Sequence, residues 1–189
     1  MGNKFVKRWK SIGESKIKAK RPNQYDFNLG SAATDFLFNI GMPSEFQELN
    51  FDYLKEESLQ SVNSKWNLNN SDFDKYITIG FNGSGDPIAI NLKNQELIYL
   101  NHDNEFEEVF INSDLKKFAQ SILIIQGFID QITKLNPDSF FETEFSDESL
   151  VQLLSELKQL DSRIVDRKNS HWVPTLENLK WEREEERNN

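Results

Sequence analysis

Tyr76-Ile77-Thr78-Ile79-Gly80-Phe81, Pro87-Ile88-Ala89-Ile90-Asn91-Leu92, Leu97-Ile98-Tyr99-Leu100 and Val109-Phe110-Ile111 are short runs of β-branched and aromatic residues, each set off from the next by turn residues. Side chains of this kind suit a pleated, half-buried surface. Asn82-Gly83-Ser84-Gly85-Asp86 allows positive φ at two glycines, and Lys93-Asn94-Gln95 is short enough to close a hairpin. Successive strands with no helix between them exclude a parallel α/β sheet, whose neighbouring strands need a long crossover. The spacing predicts an antiparallel meander.

Helical periodicity flanks it on both sides. Leu115, Phe118, Ala119, Ile122, Leu123, Gln126, Ile129 and Ile132 recur at three- and four-residue steps, which predicts a helix from Asp114 to about Leu135 capped by Ser113. A second helix is expected from Ser146, with Asp147 and Glu148 at the positive end of its dipole and Leu150, Val151, Leu153, Leu154, Leu157 and Leu160 along it. Upstream, Ser31 to Ile40 reads as a short buried helix with Ser31 as N-cap, Gly41 as stop and Pro43 beyond it. Phe46 to Leu54 alternates and suggests a first strand. Phe5, Val6, Trp9 and Ile12 suggest a helix, followed by the extended tract Lys16-Ile17-Lys18-Ala19-Lys20 and a break at Pro22. The run Glu182-Arg183-Glu184-Glu185-Glu186-Arg187 reads as a frayed, solvated end. The expected architecture is α+β: a central antiparallel meander with N-terminal helices and two C-terminal helices packed on it. Residues 1–24 form a basic helix and lead-in, 25–181 a single domain, and 182–189 a charged tail.

The 189 residues are 37% hydrophobic and 12% aromatic, sufficient for one core. Cysteine is absent, which excludes disulfides, thiolate metal sites and cysteine nucleophiles and fits a reducing compartment, so a cytoplasmic location is expected. The basic start is not followed by the apolar run of a signal peptide, and the most apolar stretch, Ile122 to Ile132, is interrupted by Gln126 and Asp130. The net charge of −9 is unevenly spread: residues 1–21 carry eight Lys/Arg and one Glu, leaving 14 basic and 30 acidic groups, net −16, on the rest. Such a body repels nucleic acid and anionic lipid and steers basic proteins toward itself.

No constellation for chemistry emerges. Asn82-Gly83-Ser84-Gly85 lacks the spacing of a nucleophile elbow, and its continuation into Asp86 and Pro87 adds a negative charge and removes an amide where a phosphate cradle would need donors. The two histidines, His102 and His171, have no metal-ligand spacing. The acidic groups Asp72/Asp74 and Asp103/Glu105/Glu107/Glu108 do not match a calcium-binding loop. No catalytic residue, cofactor or metal is therefore expected. The acids beside the sheet's turns, Asp72, Asp74, Asp86, Asp103, Glu105, Glu107 and Glu108, are candidates for partner binding, because loops at sheet ends are exposed and free to vary. Each also reads as a solvated loop acid, and Asp86 as a residue that sets the turn before Pro87.

The stretch Tyr76 to Asn91, continuing through Glu96-Leu97-Ile98-Tyr99-Leu100-Asn101-His102-Asp103, resembles the core of the SUKH superfamily. Ile40-Gly41-Met42-Pro43 is similar to that family's Gly-x-Pro segment after an early helix, and Val109-Phe110-Ile111-Asn112-Ser113-Asp114-Leu115 with Phe118 to its strand-to-helix passage. The likeness runs over roughly residues 30 to 180 and takes in Trp172. It implies a bacterial immunity protein that binds and neutralises a cognate polymorphic toxin, with a basic nuclease suited to the acidic body. Fungal relatives are implied to regulate cell-wall assembly through protein partners, so a regulatory or scaffold role stays open. Neither role implies an active site, nucleic acid or a membrane.

Overall fold

The computed structural model describes residues 3–12, 16–20, 27–134, 136, 140 and 144–188. In chain order, α1 (Asn3–Lys10) and β1 (Lys16–Ile17) precede α2 (Ser31–Thr34), which continues as a π-helix over Asp35–Ile40. Then come β2 (Met42–Pro43), β3 (Glu45–Phe46), β4 (Leu49–Asn50), α3 (Tyr53–Glu56), β5 (Gln60–Ser61) and α4 (Val62–Trp66). The meander is β6 (Tyr76–Phe81), β7 (Pro87–Asn91), β8 (Leu97–Asn101) and β9 (Glu107–Asn112), followed by α5 (Leu115–Ile132), α6 (Asp147–Leu160), α7 (Arg163–Asp166) and α8 (Trp172–Asn188).

The main sheet runs β3-β4-β6-β7-β8-β9, antiparallel throughout, with β5 also pairing β6, while β1 and β2 form a separate ribbon. The fold is α+β, as the patterning predicts. The register sets Ile77 beside Ile90 and Ile90 beside Leu97, and likewise Thr78 beside Ala89 and Ala89 beside Ile98. Because side chains alternate across a strand, Ile77, Ile79, Ile88, Ile90, Leu97 and Ile111 enter the main core with Phe118, Ile122 and Trp172 from the helices. Tyr76, Ala89, Ile98 and Leu100 join Val62 in a second, smaller cluster.

Several boundaries differ from the sequence reading. Phe46 to Leu54 is no continuous strand: β3 and β4 form a tight hairpin with Gln47 at φ 53°, and α3 begins at Tyr53. A short amphipathic run satisfies either period, and here β6 offers only a brief edge. Gly80 lets β4 come this close to β6, because a Cβ there would lie 2.3 Å from the Asn50 carbonyl oxygen. Asp114, not Ser113, caps α5 by accepting from the Lys117 amide at 2.8 Å, and the helix ends at Ile132 rather than Leu135. Ser113 is claimed instead by buried Asp161, to which its amide and hydroxyl donate at 2.7 and 2.6 Å. Gly30 rather than Ser31 occupies the N-cap of α2, and Gly41 closes it at φ 92° as expected. In the β6–β7 turn only Gly85 takes positive φ.

The two ends of the chain are more deeply engaged than their charge suggests. Trp9 is fully buried against Phe36 and donates its indole N–H to the Gly41 carbonyl at 3.0 Å, so the apolar side of α1 belongs to the main core. The break at Pro22 and the boundary at residue 24 lie outside the described residues. At the other end the charged run does not fray: α8 continues to Asn188, and Arg183 is 1% exposed. Its guanidinium donates to the Phe145 carbonyl at 3.0 Å and to the Asp147 carboxylate, and lies 5.6 Å from the Phe145 ring. Arg183 follows Leu176 by seven residues, two helical turns, and so shares its inward face.

Candidate partner-binding surface

Two loops meet over the smaller cluster. In the first, Ser61 caps α4 by accepting from the Ser64 amide at 3.2 Å, and Asn67 ends it in the left-handed region at φ 51°. The Asn70 side chain then accepts from the Asp72 amide at 3.0 Å and nucleates a 3-10 turn over Ser71–Phe73. In the second loop, Asn101 accepts from the Asp103 amide at 3.0 Å and starts a matching turn over His102–Asn104. Glu105 and Phe106 follow at φ 52° and 59°. Successive left-handed residues are costly for L-amino acids, and here they reverse the chain into β9 and lay Phe106 on the first loop.

The result is an aromatic platform. The Phe106 ring lies 5.4 Å from Phe73 and 5.7 Å from Trp66, Trp66 lies 5.9 Å from His102, and Phe73 lies 6.1 Å from Tyr76. Trp66, Leu68, Phe73 and Phe106 are half-buried over Val62, Tyr76, Ala89, Ile98 and Leu100. Each phenylalanine stands between two acids, Asp72-Phe73-Asp74 and Glu105-Phe106-Glu107. Residues 66–76 and 101–108 together hold six acids and one Lys or Arg, Lys75, so the face is net negative by five with its histidine neutral.

Six of the seven sequence candidates meet here. Asp72, Asp74, Asp103, Glu105, Glu107 and Glu108 are all exposed, Asp103 with 83% of its side chain in solvent. Asp74 accepts from the Asn63 amide group at 2.8 Å, and Glu107 from Asn104 and Asn169 at 2.6 Å each. Glu108 accepts from the Tyr76 hydroxyl and lies 3.9 Å from the Lys75 ammonium. Burial, and then this carboxylate, push the Tyr76 hydroxyl well above its ordinary range, so it remains a donor at neutral pH.

Asp86 is the exception. Only 4% exposed, it accepts from the His102 amide at 2.9 Å, lies 2.6 Å from His102 Nδ1, and accepts from the Asn82 side chain at 2.9 Å. Its carboxylate pins the 102 loop to the β6–β7 turn, which is the turn-setting role that its place before Pro87 also suggests. Trp66, Phe73 and Phe106 are absent from the sequence candidates. The acid-Phe-acid triplet, written twice in the chain, was the available signal, but what gives it meaning is the meeting of the two copies.

Among the described residues no three His, Asp or Glu side chains gather as a metal site, and no helix is long and apolar enough to cross a membrane. A cavity of about 270 Å³ lies between α1, α5 and α6, bordered by Arg8, Phe128, Gln131 and Glu156. No curated protein and no solved structure matches the chain. The family of SUKH-4 immunity proteins does match, over residues 23–178, a span that contains the whole main sheet and both acid-bearing loops. On that match, the protein belongs to the SUKH-4 immunity protein family.

Proposed function

We propose that this protein is an immunity protein that binds a cognate toxin, a basic nuclease domain, and neutralises it by covering its active site with the face built from residues 66–76 and 101–108. The observation that carries the reading is the convergence of six exposed carboxylates around half-buried rings, in a chain of the immunity family. A nuclease must present cations to hold its substrate's phosphates, and a carboxylate-rimmed face competes for those cations. Long-range attraction raises the encounter rate by about 10- to 1,000-fold at low salt. Close packing of aromatic residues at the centre then slows release. Nothing in this mechanism requires catalysis by the immunity protein.

The test is co-expression in a bacterium with the toxin domain encoded beside this gene, followed by a growth assay and co-purification. Rescue with a stable complex is expected, and the triple reversal Asp103→Lys, Glu105→Lys, Glu107→Lys should weaken both. Absence of rescue and of a complex would overturn the reading in favour of a regulatory role with another partner.

A further inference from the structure

We infer that the aromatic centre of this face, Trp66, Phe73 and Phe106, receives an arginine side chain from a protein partner, with the flanking carboxylates accepting its N–H groups. The inference rests on the binding role proposed above and adds the chemistry of the contact. Its first support is geometry. The Trp66 and Phe106 planes are inclined at 86° and those of Phe73 and Phe106 at 63°, so the rings meet edge to face and form a corner instead of a flat stack. All three remain half-buried although their burial would be favourable.

The second support is charge. Asp72, Asp74, Glu105 and Glu107 are the immediate chain neighbours of the two phenylalanines, so a cation drawn by the carboxylates arrives beside the rings.

The third support is a filled version of the same pairing within this protein. On β9, the guanidiniums of Arg163 and Arg167 lie 5.3 and 5.6 Å from the Phe110 ring, and both donate to the buried carboxylate of Glu96, Arg167 at 2.7 Å. Lys75 makes a smaller version at the platform's own margin, 4.6 Å from the Tyr76 ring and 3.9 Å from Glu108. Among the described residues no Lys or Arg lies over Trp66, Phe73 or Phe106, whose rings are partly exposed, and of the exposed carboxylates beside them Asp74 and Glu107 already accept from neutral side chains only. Arginine fits better than lysine because its planar, weakly hydrated guanidinium stacks on a ring while its fork reaches carboxylates.

The full-length chain is titrated with two synthetic nonapeptides, one all arginine and one all lysine, by calorimetry and by the NMR shift of the Trp66 indole N–H. The expected result is a roughly 3- to 10-fold tighter binding of the arginine peptide, with the Trp66 signal moving and that of Trp181 on α8 unmoved. Phe106→Leu and Phe73→Leu keep every charge and should bring the two affinities to within about twofold, while Glu105→Gln with Glu107→Gln should weaken both peptides alike. Equal affinities for the wild type, no binding, or a preference that survives in either leucine variant would overturn the inference. The wild-type comparison decides even if a leucine variant fails to fold. Growth rescue in the face of such a result would leave the immunity reading standing and remove only the arginine receptor.

Discussion

Acidification should unfold this protein partly through one imidazole. His171 is buried where the chain passes β9, its amide donating to the Phe110 carbonyl at 2.8 Å, and its ring is packed 4.5 Å from Trp172 and 6.0 Å from Tyr99. Its Nε2 has no hydrogen-bond partner, and burial pushes its pKa from 6.5 down to about 4. The Glu48 carboxylate lies 3.6 Å from Nδ1, too far for a hydrogen bond and no ion pair while the ring is neutral. Between the two pKa values the unfolded chain binds a proton that the folded chain refuses, so stability falls as the pH drops. The linkage integral is about 2 kcal/mol lost between pH 7.5 and pH 5 and about 3 kcal/mol once the pH is below 4. His171→Phe removes the titration and the unpaired nitrogen and keeps the ring. Urea unfolding followed by tryptophan fluorescence at pH 7.5, 6.5, 5.5 and 5 should give parallel stabilities for wild type and variant above pH 7, diverging by about 2 kcal/mol at pH 5 in the variant's favour. Carboxylates titrate in both proteins, so the difference isolates this ring. Equal losses in both would show that His171 is not held neutral and refute the reasoning.

Gly80→Ala would drive a methyl group into the Asn50 carbonyl oxygen at 2.3 Å, and since that atom is backbone and the Phe51 ring lies 3.0 Å away, a loss of about 2 kcal/mol or more is expected in the same urea assay. Asp161 is 1% exposed. Burial by itself would raise its carboxyl, but hydrogen bonds from Ser113 and the charge of Lys117 outweigh that and hold it below the usual carboxylate range. Its contribution is therefore complete above the ordinary carboxylate pKa and lost as the pH falls through the depressed one. Asp161→Ala should cost about 3 kcal/mol at pH 7, because Ser113 and Asn112 lose their acceptor and the Lys117 ammonium its counter-charge, and the difference from wild type should shrink in acid.

The meander, α5 and α6 were legible because the strands are dense in β-branched and aromatic residues, the helices are long enough for their period to be unambiguous, and local chemistry ends each element. The β-branched and aromatic run over Tyr76–Phe81, bounded by turn residues, and the three- and four-residue steps over Leu115–Ile132 need no knowledge of the partner elements. The acidity of the body and the absence of thiol chemistry were equally plain. The pieces between Glu45 and Ser61 were not, since strands of two residues and a four-residue helix have no period to read and exist only because β6 and the core accept them. Charge runs misled for the same reason: Arg183 looks solvated beside its glutamates, yet the face of α8 it occupies is chosen by Phe145, just before α6, and by Asp147 at the start of α6. The candidate site divides along this line. Which acids sit in or beside turns is a local matter, so the exposure of Asp72, Asp74, Asp103, Glu105, Glu107 and Glu108 could be read from the sequence. Whether an acid faces water or a neighbouring side chain depends on what lies across the turn, and Asp86 faces His102. That Phe73 and Phe106 touch, 33 residues apart, is decided by the antiparallel return of β7, β8 and β9, a long-range closure that no window of sequence contains.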